Sequence, residues 1–331
     1  MNTHRPLAEI WGIEDYFPAE VLSNTYFEKT LETNDQWIQE RTGIRERRRS
    51  QAHETPGFMG TEASKKLLAK TGVKAEEIDL ILVATITGDY IFPACTSVIQ
   101  RDLGAVNAFG FDLSAACSGY LYALETARAY VESGLKKRVL VIAAEKMSSI
   151  LDYQDRQTCI LFGDAGSATL VAPARSSESR IIDSILRMDG TGIPCLFMPA
   201  GGSVKPPSVE TVQNREHFVK QEGRSVFKRA VQDMANVSVE ILERNKISPS
   251  DVKCFVPHQA NIRIIEAARE RLGMPIEKVA LNIDRYGNTT AATIPTALLD
   301  AERKGQVKKG DLVLLASFGA GFTWGSILLR Y

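Results

Sequence analysis

Apolar residues along this chain recur with two different periods, and the places where one period gives way to the other mark its architecture. The run AFGFDL at 108–113 reads as a buried strand, and SGYLYALETARAYVESG at 118–134 then repeats apolar residues at helical spacing. Further on, KCFVP at 253–257 brings the chain out of a core as a strand. HQANIRIIEAARERLG at 258–273 then starts a helix whose Ile262, Ile265, Ala268 and Leu272 form one apolar face. A third transition, YGNTTAATIPTAL at 286–298, passes from small turn residues into a helical pattern. Strands alternating with helices predict mixed sheets covered by helices, an α/β fold.

The pattern also repeats itself. ALETARAYVESGLKKRVLVIAAE at 123–145 and ALLDAERKGQVKKGDLVLLASFG at 297–319 share the order helix, Lys-Lys turn, apolar strand. Upstream of each, a helix ending in Leu-Gly (103–104 and 272–273) precedes a strand and then the turn that carries Cys117 or Asn288. Two α/β halves, 1–175 and 176–331, related by a pseudo-twofold axis would bring Cys117 beside His258 and Asn288 at their junction. The region 183–222, punctuated by GTGIP, AGG and KPPS, is poor in periodic structure. It reads as an excursion that shapes a substrate channel or a subunit contact, or equally as a plain surface loop.

A chain of 331 residues exceeds what one core usually serves, which agrees with two halves. Its 40 basic and 40 acidic side chains cancel, which disfavours a general nucleic-acid or membrane-surface role and leaves electrostatic recognition to a local patch. Five cysteines, an odd number without paired spacing, point to a reducing compartment. MNTHRPLAEIWG has no apolar signal-like core, and no stretch approaches the roughly 20 apolar residues of a membrane span. The expectation is a soluble, cytoplasmic protein.

Cys117 lies between a strand and a helix, where unpaired N–H groups and the helix dipole are expected to favour the thiolate and lower its pKa. A free cysteine is also a common small core residue. Cys95, Cys159, Cys195 and Cys254, none followed by a comparable helix start, read as structural. Of the histidines, His4 lies in the N-terminal tail, His53 in the polar run SQAHETPG and His217 in the charged run QNREHF, so only His258 follows a buried strand. Taken singly, His258 reads as a hydrogen-bonded structural residue and Asn288 as turn or cap chemistry. Taken together, the three present reactive side chains at strand-to-helix turns, a catalytic placement.

These segments resemble the β-ketoacyl-acyl-carrier-protein synthase III family, the initiating condensing enzymes of type II fatty-acid synthesis. The resemblance covers essentially the whole chain and also rests on DQWIQERTGIRERR at 35–48, DYIFPA at 89–94, DRQTCILFGDAGSATL at 155–170, GRSVFKRAV at 223–231 and FGAGFTWGSILLRY at 318–331. It implies a thiolase-like five-layered αβαβα fold and a decarboxylative Claisen condensation. Cys117 would store the acyl group of an acyl-CoA as a thioester. His258 Nε2 and the Asn288 amide would donate to the malonyl thioester oxygen as carbon dioxide leaves. A neutral His258 suits that role and a Cys–His ion pair suits acylation, and the sequence leaves the choice open.

By the same resemblance, the backbone N–H groups of Cys117 and Ala320, in the Gly319-Ala320-Gly321 turn, form an oxyanion hole, each donor contributing about 3–4 kcal/mol. Phe318 stands beside the nucleophile. Phe92 reaches across from a partner subunit to close the acyl pocket, which implies a homodimer. Trp37 and Arg41 resemble the pair that sandwiches the CoA adenine, with Arg156, Phe227 and Asn261 along the CoA path. Lys228, Arg229, Arg263 and Arg271 form a basic group suited to an acyl carrier protein. No cofactor and no metal are implied, because acyl-CoA and malonyl carrier protein are substrates. The starter acyl group stays open.

Other readings compete. A thiolase-fold acyltransferase of secondary metabolism would keep Cys-His-Asn but use another acceptor or extender. The 3-hydroxy-3-methylglutaryl synthase branch needs a catalytic glutamate, and none flanks Cys117. A papain-like cysteine hydrolase shares the Cys, His, Asn order but not the duplicated pattern or a CGSCW-like context. A noncatalytic scaffold would be expected to lose one of the three side chains.

Overall fold

The computed structural model describes residues 6–176 and 178–331; His4 lies outside them. The first half opens with β1 (Ala8–Tyr16). A ribbon of β2 (Glu20–Ser23) and β3 (Glu46–Arg49) carries α1 (Asn24–Glu28) and α2 (Asp35–Thr42). There follow α3 (Pro56–Thr71), β4 (Leu80–Ala84), α4 (Cys95–Leu103), β5 (Phe109–Leu113), α5 (Gly119–Glu132), β6 (Val139–Glu145), α6 (Arg156–Cys159) and β7 (Ala165–Pro173). The second half begins with β8 (Arg180–Met188), β9 (Leu196–Phe197), α7 (Val209–Gln213), β10 (Lys220–Gln221) and α8 (Gly223–Arg244). It ends with β11 (Cys254–Pro257), α9 (Ile262–Leu272), α10 (Ile283–Tyr286), α11 (Thr293–Arg303), β12 (Leu312–Gly319) and β13 (Thr323–Arg330).

Two main sheets run β1-β7-β6-β4-β5 and β8-β13-β12-β11. Their pairings correspond strand for strand. β1/β7 and β7/β6 are antiparallel, as are β8/β13 and β13/β12, while β6/β4 and β12/β11 are parallel. Strands covered on both faces read as unbroken apolar runs, hence VLVIAA in β6 and LVLLASF in β12. α5 and α11 lie between the sheets, and Leu121, Leu124, Leu298 and Leu299 share one core with Val141 of one sheet and Leu315 of the other. α3 and α4 cover the outer face of the first sheet, and α8 and α9 that of the second. The layers are therefore αβαβα, as the resemblance implied.

The duplication differs from its sequence reading in one respect. Ala116 (φ 46°) and Thr290 (φ 50°) occupy the same place, each opening a single 3-10 turn that runs into α5 or α11. Cys117 thus corresponds to Ala291, not to Asn288, which lies two residues before its turn. The offset arises because, among the described residues, the second half has no strand matching β5. Val279 makes only an isolated parallel bridge to Phe255, and α10 is inserted before the turn. A second difference concerns 183–222, whose first residues belong to β8. That edge strand has few buried positions, which hid its period in the sequence.

Close backbone approach sets the spacing of the outer layer. A Cβ on Gly166 of β7 would meet the Met59 carbonyl carbon of α3 at 2.7 Å. Gly166→Ala should therefore cost about 1–3 kcal/mol by overpacking, read as a lowered urea midpoint at unchanged slope. Gly190→Ala, where nothing lies within 4 Å, should leave the midpoint in place.

Candidate active site

Cys117 is buried in the turn Ala116–Ser118 at the N-terminal end of α5. Three hydroxyls pin that turn to the β12–β13 hairpin. Ser317 Oγ donates to the Cys117 carbonyl (2.9 Å), Ser118 Oγ to the Thr323 carbonyl (3.0 Å) and Thr323 Oγ1 to the Ala115 carbonyl (2.9 Å). A Cβ at Gly319 would come within 2.7 Å of the Cys117 nitrogen, so only glycine lets the two backbones meet there. This contact draws the 319–321 turn, with Ala320, against Cys117.

His258 follows β11, and its N–H donates to the Ala316 carbonyl (2.8 Å), prolonging the parallel pairing with β12 by one residue. The side chain is buried, with Nδ1 2.6 Å from Thr293 Oγ1. Gln259 beside it donates to the carbonyls of Pro257 and Ala280 and accepts from the Asn282 N–H, which fixes the turn. Asn288 is held by its N–H to the Leu161 carbonyl (2.9 Å) and by the Gly163 N–H to its own carbonyl (3.1 Å). Its Oδ1 accepts the Thr290 N–H (2.9 Å), so the amide nitrogen is the group left to point elsewhere. Cys117, His258, Asn288, Phe318 and Gly319 all line one cavity of about 230 Å³.

The electrostatics depart from the expected lowered thiol pKa. Burial pushes the Cys117 thiol up to about 12, and the nearby Glu145 carboxylate adds to this against a single favourable backbone hydrogen bond. A thiolate stripped of water with no fixed cation beside it costs more than the turn's N–H groups return. Burial also lowers His258 to about 3. The resting pair is thus a thiol and a neutral imidazole, with no ion pair.

Glu145, at the end of β6, is a residue that sequence reasoning missed. It is fully buried, accepts from the Thr85 hydroxyl, the Ile86 N–H and the Thr87 hydroxyl, and is raised by burial to about 7. Its one legible signal was an acidic residue closing the apolar run VLVIAA.

A second cavity, of about 190 Å³, meets the first at Cys117. Ile86, Met147, Phe162 and Ala320 line it, together with Leu196, Phe197, Met198 and Val219 from the 183–222 region. That region therefore shapes the site, and it also supplies Gln221 to the first cavity.

The remaining expected residues fall into three groups. Phe227 and Asn261 line the first cavity, while Trp37 and Arg156 border a separate hollow beside Asn34. Both Arg156 and Arg41 lie over the Trp37 ring, at 4.9 and 5.7 Å from its centre. The Asn261 amide is committed to structure, capping α9 at the Arg263 N–H and donating to the Arg41 carbonyl. Lys228, Arg263 and Arg271 are exposed and make no ion pair among the described residues. Arg229 differs from expectation, since Asp233 (2.8 Å) and Asp189 (3.1 Å) neutralise it. Exposed Arg224, one turn before Lys228, takes its place in the group. Phe92 is 85% exposed and touches neither cavity of its own chain, whereas Phe318 is buried with its ring 4.9 Å from that of Phe322.

The Glu145 charge acts on Cys117 with a definite sign. A carboxylate disfavours the thiolate, so Glu145→Gln should lower the thiol pKa and speed alkylation of Cys117 by iodoacetamide at pH 8. The gain should be about tenfold for each unit recovered. Slower alkylation of the variant would show that Glu145 acts by some other means.

Comparison with known proteins bears on both halves. Residues 111–190 match the family model 3-Oxoacyl-[acyl-carrier-protein (ACP)] synthase III, and residues 242–331 match its C-terminal model. A relative from Chlorobaculum tepidum named Beta-ketoacyl-[acyl-carrier-protein] synthase III is 48% identical over 98% of this chain and 99% of its own length. The crystal structure of 3-oxoacyl-[acyl-carrier-protein] synthase III from Aquifex aeolicus superposes with a TM-score of 0.91 at 42% identity, covering 98% of this chain and 100% of that one. The priming β-ketosynthase of the R1128 polyketide pathway superposes at 0.90 with 36% identity, over 98% and 97% of the two chains. Similarity of this depth over nearly the full length places the chain in the 3-oxoacyl-[acyl-carrier-protein] synthase III family.

Proposed function

We propose that the protein condenses an acyl-CoA starter with malonyl-acyl-carrier-protein through an acyl-cysteine intermediate, giving 3-oxoacyl-carrier-protein and initiating fatty-acid synthesis. The observation that carries this is the position of one sulfur where two cavities meet, with an imidazole and a carboxamide on one side of it. A nucleophile so placed can hold an acyl chain in one cavity while a second thioester enters the other.

In the first half-reaction Cys117 attacks the acyl-CoA carbonyl, the N–H groups of Cys117 and Ala320 hold the oxyanion, and the tetrahedral adduct collapses. Sγ–acyl bonding replaces the CoA thioester bond, and the thiol proton leaves with CoA as its thiol. A thiol raised to about 12 makes the helix N-terminus and the oxyanion donors the groups that must offset its ionisation. In the second half-reaction His258 Nε2 and Asn288 Nδ2 donate to the malonyl thioester oxygen. Carbon dioxide leaves, the enolate carbon attacks the acyl-Cys117 carbonyl, and the C–S bond breaks to release 3-oxoacyl-carrier-protein and a Cys117 thiolate that takes a proton from water. A neutral His258 fits this donor role. Both steps are thioester chemistry and call for no cofactor.

Recognition follows the same geometry. Trp37, flanked by Arg41 and Arg156, offers a flat face between two guanidinium groups for the adenine. Arg224, Lys228, Arg263 and Arg271 suit an acidic carrier protein, while Arg229, held by its two carboxylates, serves to fasten α8 to the segment at Asp189. A second copy of the chain would cover the exposed tip Tyr90–Phe92 and the outer edge of β5, where Phe109 and Phe111 stand exposed. It would bring Phe92 to the acyl cavity of its partner. The halves divide at 175/176, between β7 and β8. No described helix is long and apolar enough to cross a membrane. The cytoplasm as the place of the reaction is part of the proposal and follows from its thioester substrates.

Mass spectrometry after mixing with acyl-CoA should show one acyl adduct on Cys117 and none in Cys117→Ala; an adduct on another cysteine refutes the nucleophile. His258→Ala and Asn288→Ala should still form the adduct but lose about 100-fold or more in malonyl decarboxylation. Arg263→Glu should raise the KM for malonyl carrier protein about tenfold while leaving that for acyl-CoA within about twofold. Equal rises for the two substrates would remove Arg263 from the docking surface.

A further inference from the structure

The turn leading into α11 carries a hydroxyl that this chemistry leaves unused. Thr293 is buried, and its Oγ1 lies 2.6 Å from His258 Nδ1 and 2.9 Å from the Thr290 carbonyl oxygen. A threonine hydroxyl has one proton and can donate to only one of these acceptors. The Thr290 carbonyl already receives the Thr293 backbone N–H, whereas Nδ1 has no other hydrogen-bond partner among the described residues. The contact to Nδ1, at 2.6 Å, is shorter than that to the Thr290 carbonyl, at 2.9 Å, which favours the one hydroxyl proton lying on the line to Nδ1.

We propose that Thr293 is a positioning residue that fixes the tautomer of His258. By donating to Nδ1 it leaves the ring's one proton on Nε2, facing the cavity. The inference rests on the reading of His258 as a donor to the malonyl thioester. Burial keeps the ring neutral, so there is a single proton to place, and the partner of Nδ1 decides where it sits. With the proton on Nδ1 instead, Nε2 would aim a lone pair at the oxygen on which charge develops as carbon dioxide leaves, and attraction would become repulsion. The same short segment orients the second donor, because the Thr290 N–H occupies Asn288 Oδ1 and frees Nδ2. Residues 290–293 thereby set the polarity of both groups that meet the enolate oxygen.

Ring ¹⁵N chemical shifts of His258, assigned against His258→Ala, read the tautomer directly. Nε2 protonated at pH 7 is expected, and Nδ1 protonated overturns the proposal. Thr293→Val keeps the shape and removes the hydroxyl, leaving the proton free to sit on either nitrogen. Decarboxylation of malonyl carrier protein should fall about tenfold, the loss of one hydrogen bond, while single-turnover acylation by acyl-CoA stays within about twofold. Thr293→Ser should restore decarboxylation. Equal losses in both half-reactions, or no loss in either, overturn the role of Thr293. His258→Ala run alongside separates the two claims. If that variant decarboxylates normally, the reading of the site fails. If it does not, and Thr293→Val is without effect, only the role of Thr293 fails. Should the valine variant not fold, the wild-type shifts and the serine variant decide the matter.

Discussion

The contact between the Ala115–Ser118 turn and the β12–β13 hairpin is the constraint on which the site depends. Cys117 belongs to the first half, whereas His258, Asn288 and the 319–321 turn that meet it belong to the second. What joins them is a set of three hydroxyl-to-carbonyl bonds together with a glycine that lets Gly319 lie against the Cys117 backbone. Each such bond is worth only about 1 kcal/mol net, but each also gives a buried hydroxyl the partner it would otherwise lack. The apolar contacts of α5 and α11 bring the sheets together without specifying register to a fraction of an ångström. The polar pins add that specification at the place where the chemistry needs it.

Burial then determines what kind of chemistry the site can do. In a dry junction, fixed charges are costly, and both reactive groups respond by staying neutral. The site therefore works with oriented dipoles: backbone N–H groups at the start of α5, a carboxamide turned by the Thr290 N–H, and an imidazole turned by the Thr293 hydroxyl. Dipoles held in place lose no orientation when charge appears on a substrate oxygen, which is the main advantage of a preorganised site over water. Glu145 is pushed the same way, up to about 7, and three donors from 85–87 make its buried carboxyl tolerable.

The features legible in the sequence were those with a period or a punctuation mark. The α/β alternation, the duplicated helix, Lys-Lys turn and strand, and the three strand-to-helix turns depend on local patterns of apolar and small residues, which survive in one dimension. Cys117, His258 and Asn288 stood out because they lie at those turns. The sign of the Cys117 shift did not, because it depends on burial and on Glu145, which approaches from the end of another strand. The sequestration of Arg229 by Asp189, 40 residues away, was equally invisible, as was β8, an edge strand whose exposed positions blur its alternation. The roles of Thr290 and Thr293 were hidden for a different reason. Hydroxyl residues are ordinary at helix starts, and only the 2.6 Å contact with the His258 ring separates orientation from capping.

Duplication explains why such a site arises at a junction. Each half supplies a turn entered through a left-handed residue, Ala116 or Thr290, and continued by a helix running into the middle layer. Each turn thus presents a helix start to the same central region. In the first half the next residue is Cys117, whose side chain reaches both cavities. In the second half the equivalent residue is Ala291, and the polar groups stand on either side of it, Asn288 before and Thr293 after. Ala291 is buried beside the start of α5 at Gly119 and lines neither cavity. The pseudo-symmetry of the backbone is therefore broken in the side chains. On the proposed mechanism one turn carries the reacting sulfur, and the other is bracketed by Asn288, which donates to the substrate, and Thr293, which orients the His258 donor.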